Sequence, residues 1–143
     1  MKWQKTLNGE DCIFCKIVKK EIPSKIVFEN KNNLAFLDIF PINDGHTIII
    51  PKNHYQNIED LPENELVDLF KLVKSLAVLI HKKLKIDGYN ILQNNFEAAG
   101  QVIQHFHVHI IPRNNTDEKF KLKIPRNQAS EEDLNKMLNL LKT

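Results

Sequence analysis

The stretch QHFHVHIIPR, residues 104–113, constrains the fold of this chain most, because three of its six histidines alternate there with apolar residues. Successive side chains of a β-strand point to opposite faces, so His105, His107 and His109 are predicted to share one face of a sheet, about 6.6 Å apart. The apolar residues that face the other way, toward covering helices, are Phe106, Val108 and Ile110. The stretch therefore predicts a sheet with a packed core on one face and a row of imidazoles on the other.

The remaining hydrophobic segments predict four more strands and two helices. Apolar residues recur every three or four positions across 61–85, which is typical of a long amphipathic helix. Ser130, with Asp133 three residues later, predicts the start of a short C-terminal helix. Short apolar runs bounded mostly by Asn, Gly or Pro predict strands at 25–29, 33–39, 46–51 and 89–94. We therefore expect an α+β fold: an antiparallel sheet of about five strands, one long helix and one or two short helices.

The composition is typical of one soluble globular domain spanning residues 1–143, with 42% hydrophobic and 27% charged residues. The net charge is only +2 and the chain has two arginines, so we expect no nucleic-acid partner. No apolar run reaches the length of a signal peptide or a membrane span. We therefore expect a cytoplasmic protein that has no membrane partner and keeps its thiols reduced.

The residues alone leave three interpretations of the imidazole row open. The histidines are ordinary hydrogen-bonded surface groups, or they bind a metal such as zinc, or one is a nucleophile in phosphoryl chemistry while another donates a proton. Imidazole suits both chemical roles, because its pKa of about 6.5 keeps both protonation states accessible. Nearby, Asn94, Gly100 and Gln101 offer amides and a permissive backbone that suit an anion, and His46 follows Gly45 at another strand start.

Cys12 and Cys15 form a C-x-x-C pair and are the only cysteines of the chain. The pair by itself fits two buried thiols, a redox couple, or half of a tetrahedral metal site that histidines complete. No thioredoxin-like βαβ pattern surrounds it, which disfavours the redox interpretation.

HFHVHII resembles the signature of the histidine triad (HIT) superfamily of nucleotide hydrolases and transferases. The resemblance covers most of the chain, since CIFCKIVKKEIPSKIVFEN, LAFLDIFPINDGHTIIIPKNH and AGQ occur in the order and spacing of the family. In detail the sequence is most similar to the Hint nucleoside phosphoramidases and their small bacterial relatives. The resemblance implies the HIT-type fold for residues 1–143 and a homodimer paired through the long helix and an edge strand.

The resemblance also implies catalytic roles. His107 would attack the α-phosphorus of a nucleotidyl substrate, and water would then hydrolyse the nucleotidyl-imidazole intermediate. His109 would contact the phosphate and assist departure of the leaving group. His105 would hold the geometry, its backbone carbonyl fixing the tautomer of His107. His46 would close the other side of the phosphate site.

Further positions correspond to substrate contacts in the family. Asp38 would accept hydrogen bonds from the ribose hydroxyls, and Ile39 would wall the base. Asn94 and Gln101 would lie on the phosphate side. Val102 departs from the pattern, because the family often carries Ser or Thr there, so a hydroxyl donor to the phosphate is lost.

The resemblance also implies a structural zinc, since some HIT proteins with this cysteine spacing bind one; its ligands here would be Cys12, Cys15, His54 and His105. Four protein ligands close the site to water, so the zinc would be structural, and no organic cofactor is expected. The sequence thus predicts a hydrolase that cleaves the α-phosphate P–N or P–O bond of a purine nucleoside phosphoramidate or related conjugate. The alternatives are a nucleotide-binding regulatory or interaction module with little turnover, a dinucleoside polyphosphate hydrolase, and a zinc hydrolase that uses the triad as ligands.

Overall fold

A computed structural model describes residues 9–118 and 124–142. Within them, five antiparallel strands form one sheet in the order β1-β2-β3-β5-β4, which confirms the predicted fold class. The strands are β1 (Ile26–Glu29), β2 (Asn33–Leu37), β3 (Thr47–Pro51), β4 (Gly88–Gln93) and β5 (Val108–Arg113). The helices are α1 (Ile13–Val18), α2 (Glu63–Leu84), a 3-10 turn (Glu97–Ala99) and α3 (Glu131–Leu141).

Helix α2 covers one face of the sheet, as its apolar spacing predicts. The core between them joins buried residues of the helix to residues of the sheet and of the segment just before β5, including Phe106, Val108 and Ile110. These are the three apolar residues that alternate with the histidines. The alternation of faces in the histidine segment is therefore present, with the α2 side apolar.

The short helix α1 covers part of the opposite face and was not predicted. Its residues Phe14 and Ile17 pack with Leu34, Phe36 and other side chains in a second buried cluster. The imidazole side of the sheet is thus partly a core of its own. This helix also carries Cys15, with Cys12 at its N-terminal end, and brings both to the sheet.

Strand β5 begins at Val108, three residues later than the predicted segment 105–112. The last β4–β5 pair is Gln93 with Val108, so His105 and His107 precede the ladder. Phe106 N–H donates instead to Tyr55 O at 2.6 Å, and the His105 side chain reaches Pro51 O. Because of these hydrogen bonds to residues 51–55, the chain before Val108 does not pair with β4 and joins the sheet only at Val108.

Helix α3 begins as the sequence predicts, because the Ser130 hydroxyl accepts the Asp133 N–H at 3.1 Å. All of its residues are at least partly exposed. Among the described helices, none is long and apolar enough to cross a membrane.

Candidate functional site

The middle histidine is held in one tautomer. His107 Nδ1 lies 2.7 Å from His105 O, and a carbonyl only accepts, so the proton is on Nδ1 and the Nε2 lone pair is free. The side chain is buried, and its ring meets the edge of Phe14 at a centroid distance of 5.2 Å. Burial lowers the pKa of His107, so the ring is neutral at neutral pH. A neutral imidazole with a free lone pair is a competent nucleophile.

The next histidine belongs to a relay of hydrogen bonds. Ile42 N–H donates to His46 Nδ1 at 3.1 Å, so the proton of neutral His46 is on Nε2. That Nε2 lies 2.8 Å from His109 Nδ1, which accepts, so the remaining proton of neutral His109 is on its own Nε2. Burial, followed by the charges of His107 and His46, lowers the pKa of His109 to about 4. The Nε2 of His109 therefore carries an N–H, whereas the Nε2 of His107 carries a lone pair. The two ring centroids are 5.0 Å apart.

Glycine is required just before His46. Gly45 has φ +84°, and a Cβ there would clash with the side chain of Leu84 at the end of α2. Any other residue at position 45 would have to displace the Leu84 side chain and adopt a positive φ, which residues other than glycine disfavour. His46 is thereby fixed at the start of β3.

Asp38 lies beside this relay. Its Oδ2 is 3.6 Å from His46 Nε2, and its Oδ1 accepts Phe40 N–H at 2.9 Å. The carboxylate is half-buried, whereas Ile39 next to it is 76% exposed. The structure thus brings Asp38, His46 and His109 together at the ends of β2, β3 and β5, with Ile39 at an open surface.

Gln101 braces the loop between β4 and β5. Its Oε1 accepts Phe96 N–H at 2.8 Å, and its Nε2 donates to Gln56 O at 2.5 Å and Ile103 O at 3.1 Å. Both of its N–H groups are used within the chain, so its side chain has none left for a phosphate. Asn94 Nδ2 lies 3.4 Å from Gly100 O in the same loop. Val102 is exposed.

The first histidine of the run faces a different group. The Sγ atoms of the two cysteines and one ring nitrogen of each of two histidines lie within 4.8 Å of one another. The members are Cys12, Cys15, His54 and His105. These are the four ligands that the family resemblance implies, and three of the four are buried.

The spacing of this group suits a tetrahedral metal ion. Ligand bonds of about 2.3 Å to sulfur and about 2.05 Å to nitrogen place N···N pairs about 3.3 Å apart and N···S pairs about 3.6 Å apart. His54 Nδ1 and His105 Nδ1 are 3.2 Å apart, and the N···S distances between the two histidines and Cys12 or Cys15 are 3.3 to 3.5 Å. The four residues therefore fit zinc.

The protonation of the group favours a cation as well. His105 Nε2 donates to Pro51 O at 2.8 Å, so its Nδ1 carries the lone pair that faces the cysteines. Burial lowers the pKa of His105 to about 4, which keeps the ring neutral. Burial, together with the neighbouring Cys12, raises the pKa of the Cys15 thiol to about 12, so a cation is needed to hold it as a thiolate.

The histidine run does not converge on one metal. Asp38, His46 and His109 are also near one another, but the 2.8 Å between His46 Nε2 and His109 Nδ1 is a hydrogen-bond distance. It is shorter than the about 3.3 Å expected between two nitrogens on tetrahedral zinc. Because His105 faces the cysteines and His107 donates to a carbonyl, these contacts disfavour the three histidines as one ligand set.

Three main-chain groups fix these rings: Ile42 N–H, Pro51 O and His105 O. The family resemblance implied the last of them, and the sequence did not reveal the other two. In the structure Phe14 packs against the rings of His105 and His107. Main-chain partners leave no trace in residue identity.

Comparisons with known proteins identify a matching family and similar chains. The HIT domain model matches residues 19–116. An uncharacterised HIT-like protein from Methanocaldococcus jannaschii is 53% identical over 71% of this chain and 78% of its own length. An adenosine 5′-monophosphoramidase from Saccharomyces cerevisiae is 46% identical over 92% of this chain and 78% of its own.

Solved structures are similar over nearly the whole chain. A HIT family protein from Bacillus anthracis has a TM-score of 0.87 at 36% identity, covering 94% of this chain and 97% of that chain. A zinc-bound histidine triad family protein from Mycobacterium smegmatis has a TM-score of 0.74 at 33% identity, covering 94% of this chain and 98% of that chain.

Proposed function

Because this chain belongs to the HIT family, we propose that it is a hydrolase of purine nucleotide conjugates. It cleaves the bond between the α-phosphorus and an amine or oxygen leaving group, most simply in a nucleoside 5′-phosphoramidate. The similarity to an adenosine 5′-monophosphoramidase supports this substrate class. The observation that carries the proposal is the 2.7 Å hydrogen bond from His107 Nδ1 to His105 O, which frees Nε2 for attack.

In the first step His107 Nε2 forms a bond to the α-phosphorus, and the P–N or P–O bond to the leaving group breaks. The leaving group departs with a proton that enters from solvent, and the Nε2–H of neutral His109, oriented by the relay through His46, hydrogen-bonds to it. In the second step water attacks the phosphorus and the P–Nε2 bond breaks. One proton of that water is released to solvent, which balances the proton taken up in the first step, and the nucleoside monophosphate is released with both rings in their starting forms.

We assign the nucleoside side of the site to Asp38 and Ile39. A carboxylate can accept hydrogen bonds from both hydroxyls of a ribose. The Asp38 carboxylate is held in place by the hydrogen bond that its Oδ1 accepts from Phe40 N–H. The exposed Ile39 offers an apolar surface to a purine. Asn94 and the backbone around Val102 lie on the phosphate side, with Gln101 as the brace of that loop rather than a direct side-chain donor.

We propose that Cys12, Cys15, His54 and His105 hold a structural zinc. The metal would keep both thiols deprotonated and fix the N-terminal end of α1 to the segment that carries the triad. His105 would serve the active site only through its carbonyl, since its ring faces the cysteines.

We also propose a homodimer that pairs α2 and the edge strand β4 of each copy. Val67 and Leu79 on α2 are exposed, as is Ile91 on β4. Two copies would cover this apolar surface and continue the sheet. Light scattering that gives the mass of a single chain at micromolar concentration would contradict the dimer.

The nucleophile is tested by His107→Asn on adenosine 5′-phosphoramidate, with AMP release as the readout. We expect the variant to lose at least about a thousandfold in kcat, because an asparagine side chain cannot form the nucleotidyl-imidazole intermediate. His81→Asn, at an exposed position of α2, is the matched control and should keep wild-type turnover. If the wild type binds AMP without hydrolysing this substrate, the chain is a nucleotide-binding module and the proposed function is wrong.

A further inference from the structure

Phe96 adopts a backbone conformation that is nearly reserved for glycine. Its φ is +67° and its ψ is 159°, a region in which the Cβ of an L residue is strained. The residue directly follows the Asn94–Asn95 pair and precedes the 3-10 turn Glu97–Ala99. A large aromatic side chain at such a position is unexpected, because glycine would adopt it without strain.

The surrounding loop holds Phe96 in this conformation. Its N–H donates to Gln101 Oε1 at 2.8 Å, and its carbonyl accepts the N–H groups of Ala99 and Gln101, both at 3.1 Å. Gln101 is itself buried and anchored by its two donated bonds. On the other side, Asn95 Oδ1 accepts Ile58 N–H at 2.9 Å. Hydrogen bonds of Phe96 itself and of the preceding Asn95 therefore hold the strained backbone in this conformation.

The Phe96 ring makes only limited packing contacts within the chain. Phe96 is 52% exposed, so packing within the chain does not account for an aromatic side chain in a strained position. Strain together with exposure points to a contact that forms when a ligand binds.

The topology puts Phe96 on the side of the site away from the nucleoside. The last β4–β5 pair is Gln93 with Val108, so the chain leaves β4 beside His107 and reaches Phe96 three residues later. Asp38 follows β2, which lies across β3 from β5. A nucleotide with its ribose at Asp38 and its phosphorus at His107 leaves its amine substituent on the β4 side.

We propose that Phe96 is a specificity-determining residue that contacts the substituent of the leaving amine. Its half-exposed ring offers a flat apolar surface, which suits an amine that carries an aromatic ring and gives an unsubstituted phosphoramidate nothing to contact. The inference rests on the proposed function and names its substrate class: nucleoside phosphoramidates of arylalkyl amines are preferred.

The test compares kcat/KM for adenosine 5′-phosphoramidate and its N-phenethyl derivative in wild type, Phe96→Ala and Phe96→Gly. We expect wild type to prefer the phenethyl substrate. Both variants should lose roughly tenfold on that substrate and stay within about twofold on the unsubstituted one. Phe28→Ala, an exposed aromatic on β1 at the opposite sheet edge, is the matched control and should change neither value.

The glycine variant separates the ring from the backbone. Phe96→Gly should unfold at a higher temperature than Phe96→Ala, because glycine relieves the strain that alanine keeps. Equal losses on both substrates would mean that Phe96 only shapes the loop, and no loss on either would mean that its ring does not meet the substrate. Either result overturns the inference while the proposed function stands. Absence of wild-type turnover on both substrates overturns the proposed function and this inference with it.

Discussion

His105 and His107 are two residues apart and chemically identical, yet their rings belong to different groups. The ring of His105 donates to Pro51 O and turns its Nδ1 toward Cys12, Cys15 and His54. The ring of His107 donates to a carbonyl from Nδ1 and keeps Nε2 free. Each neutral ring carries its proton on one nitrogen and keeps a lone pair on the other. In these two rings, hydrogen bonds to main-chain carbonyls decide which nitrogen carries the proton.

The two groups also differ in how they are completed. The His105 group is closed by two cysteines, and burial raises the pKa of the Cys15 thiol to about 12, which suits a structural role in which a cation holds the thiolate. The group around His107 and His109 contains two neutral rings, one with a lone pair and one with an N–H, which suits proton and phosphoryl transfer. The first two of the following experiments perturb one group and also read out the other, and the third measures the His109 group alone.

The largest expected effect comes from breaking the cysteine–histidine group. Cys12→Ser should bind no zinc and should lose about 3 kcal/mol or more of unfolding free energy, because the metal stabilises only the folded state. Metal analysis and thermal unfolding with and without a chelator measure both effects. Turnover per folded molecule at low temperature should stay within about threefold of wild type. Wild-type protein without zinc, or a variant with unchanged stability, would contradict the proposed structural metal.

A smaller effect on the rate is expected from the relay. His46→Gln replaces the ring that accepts Ile42 N–H and donates to His109, so His109 should lose its fixed tautomer. We expect kcat to fall about a hundredfold with little change in KM and with the acid limb of the pH–rate profile displaced. Zinc content should remain that of wild type. If zinc is lost together with the rate, the two groups are not independent.

The smallest effect is the pH dependence of stability due to His109. Its pKa is about 4 in the folded chain and about 6.5 when unfolded, so between these values the unfolded state binds the extra proton. The unfolding free energy should therefore be fully retained above about pH 6.5 and fall as the pH drops toward 4. Between pH 7 and pH 5 we expect His109 to contribute about 1 kcal/mol of this loss. Denaturant unfolding of wild type and His109→Asn measures it, and equal slopes would show that His109 is not buried as a neutral ring.

The sequence predicted those features that periodicity encodes. The apolar spacing of 61–85 predicted α2, the Ser130–Asp133 pair predicted the start of α3, and alternation placed Phe106 and Val108 under α2. It overextended the histidine strand, because the bonds from Phe106 N–H to Tyr55 O and from the His105 ring to Pro51 O join residues far apart in the chain. Short α1 escaped prediction because six residues carry too little periodicity.

By itself, then, the sequence determined that three imidazoles lie on one side of an antiparallel sheet, and it supplied the two cysteines and the family pattern. Only the tertiary structure decided that the first ring turns to the cysteines, that the second keeps the lone pair of its Nε2, and that the third accepts at Nδ1 from His46 and so carries its proton on Nε2. The physical reason is that a histidine's chemistry depends on which of its two nitrogens carries the proton. That choice is made by carbonyls, amides and rings that meet only when the chain folds.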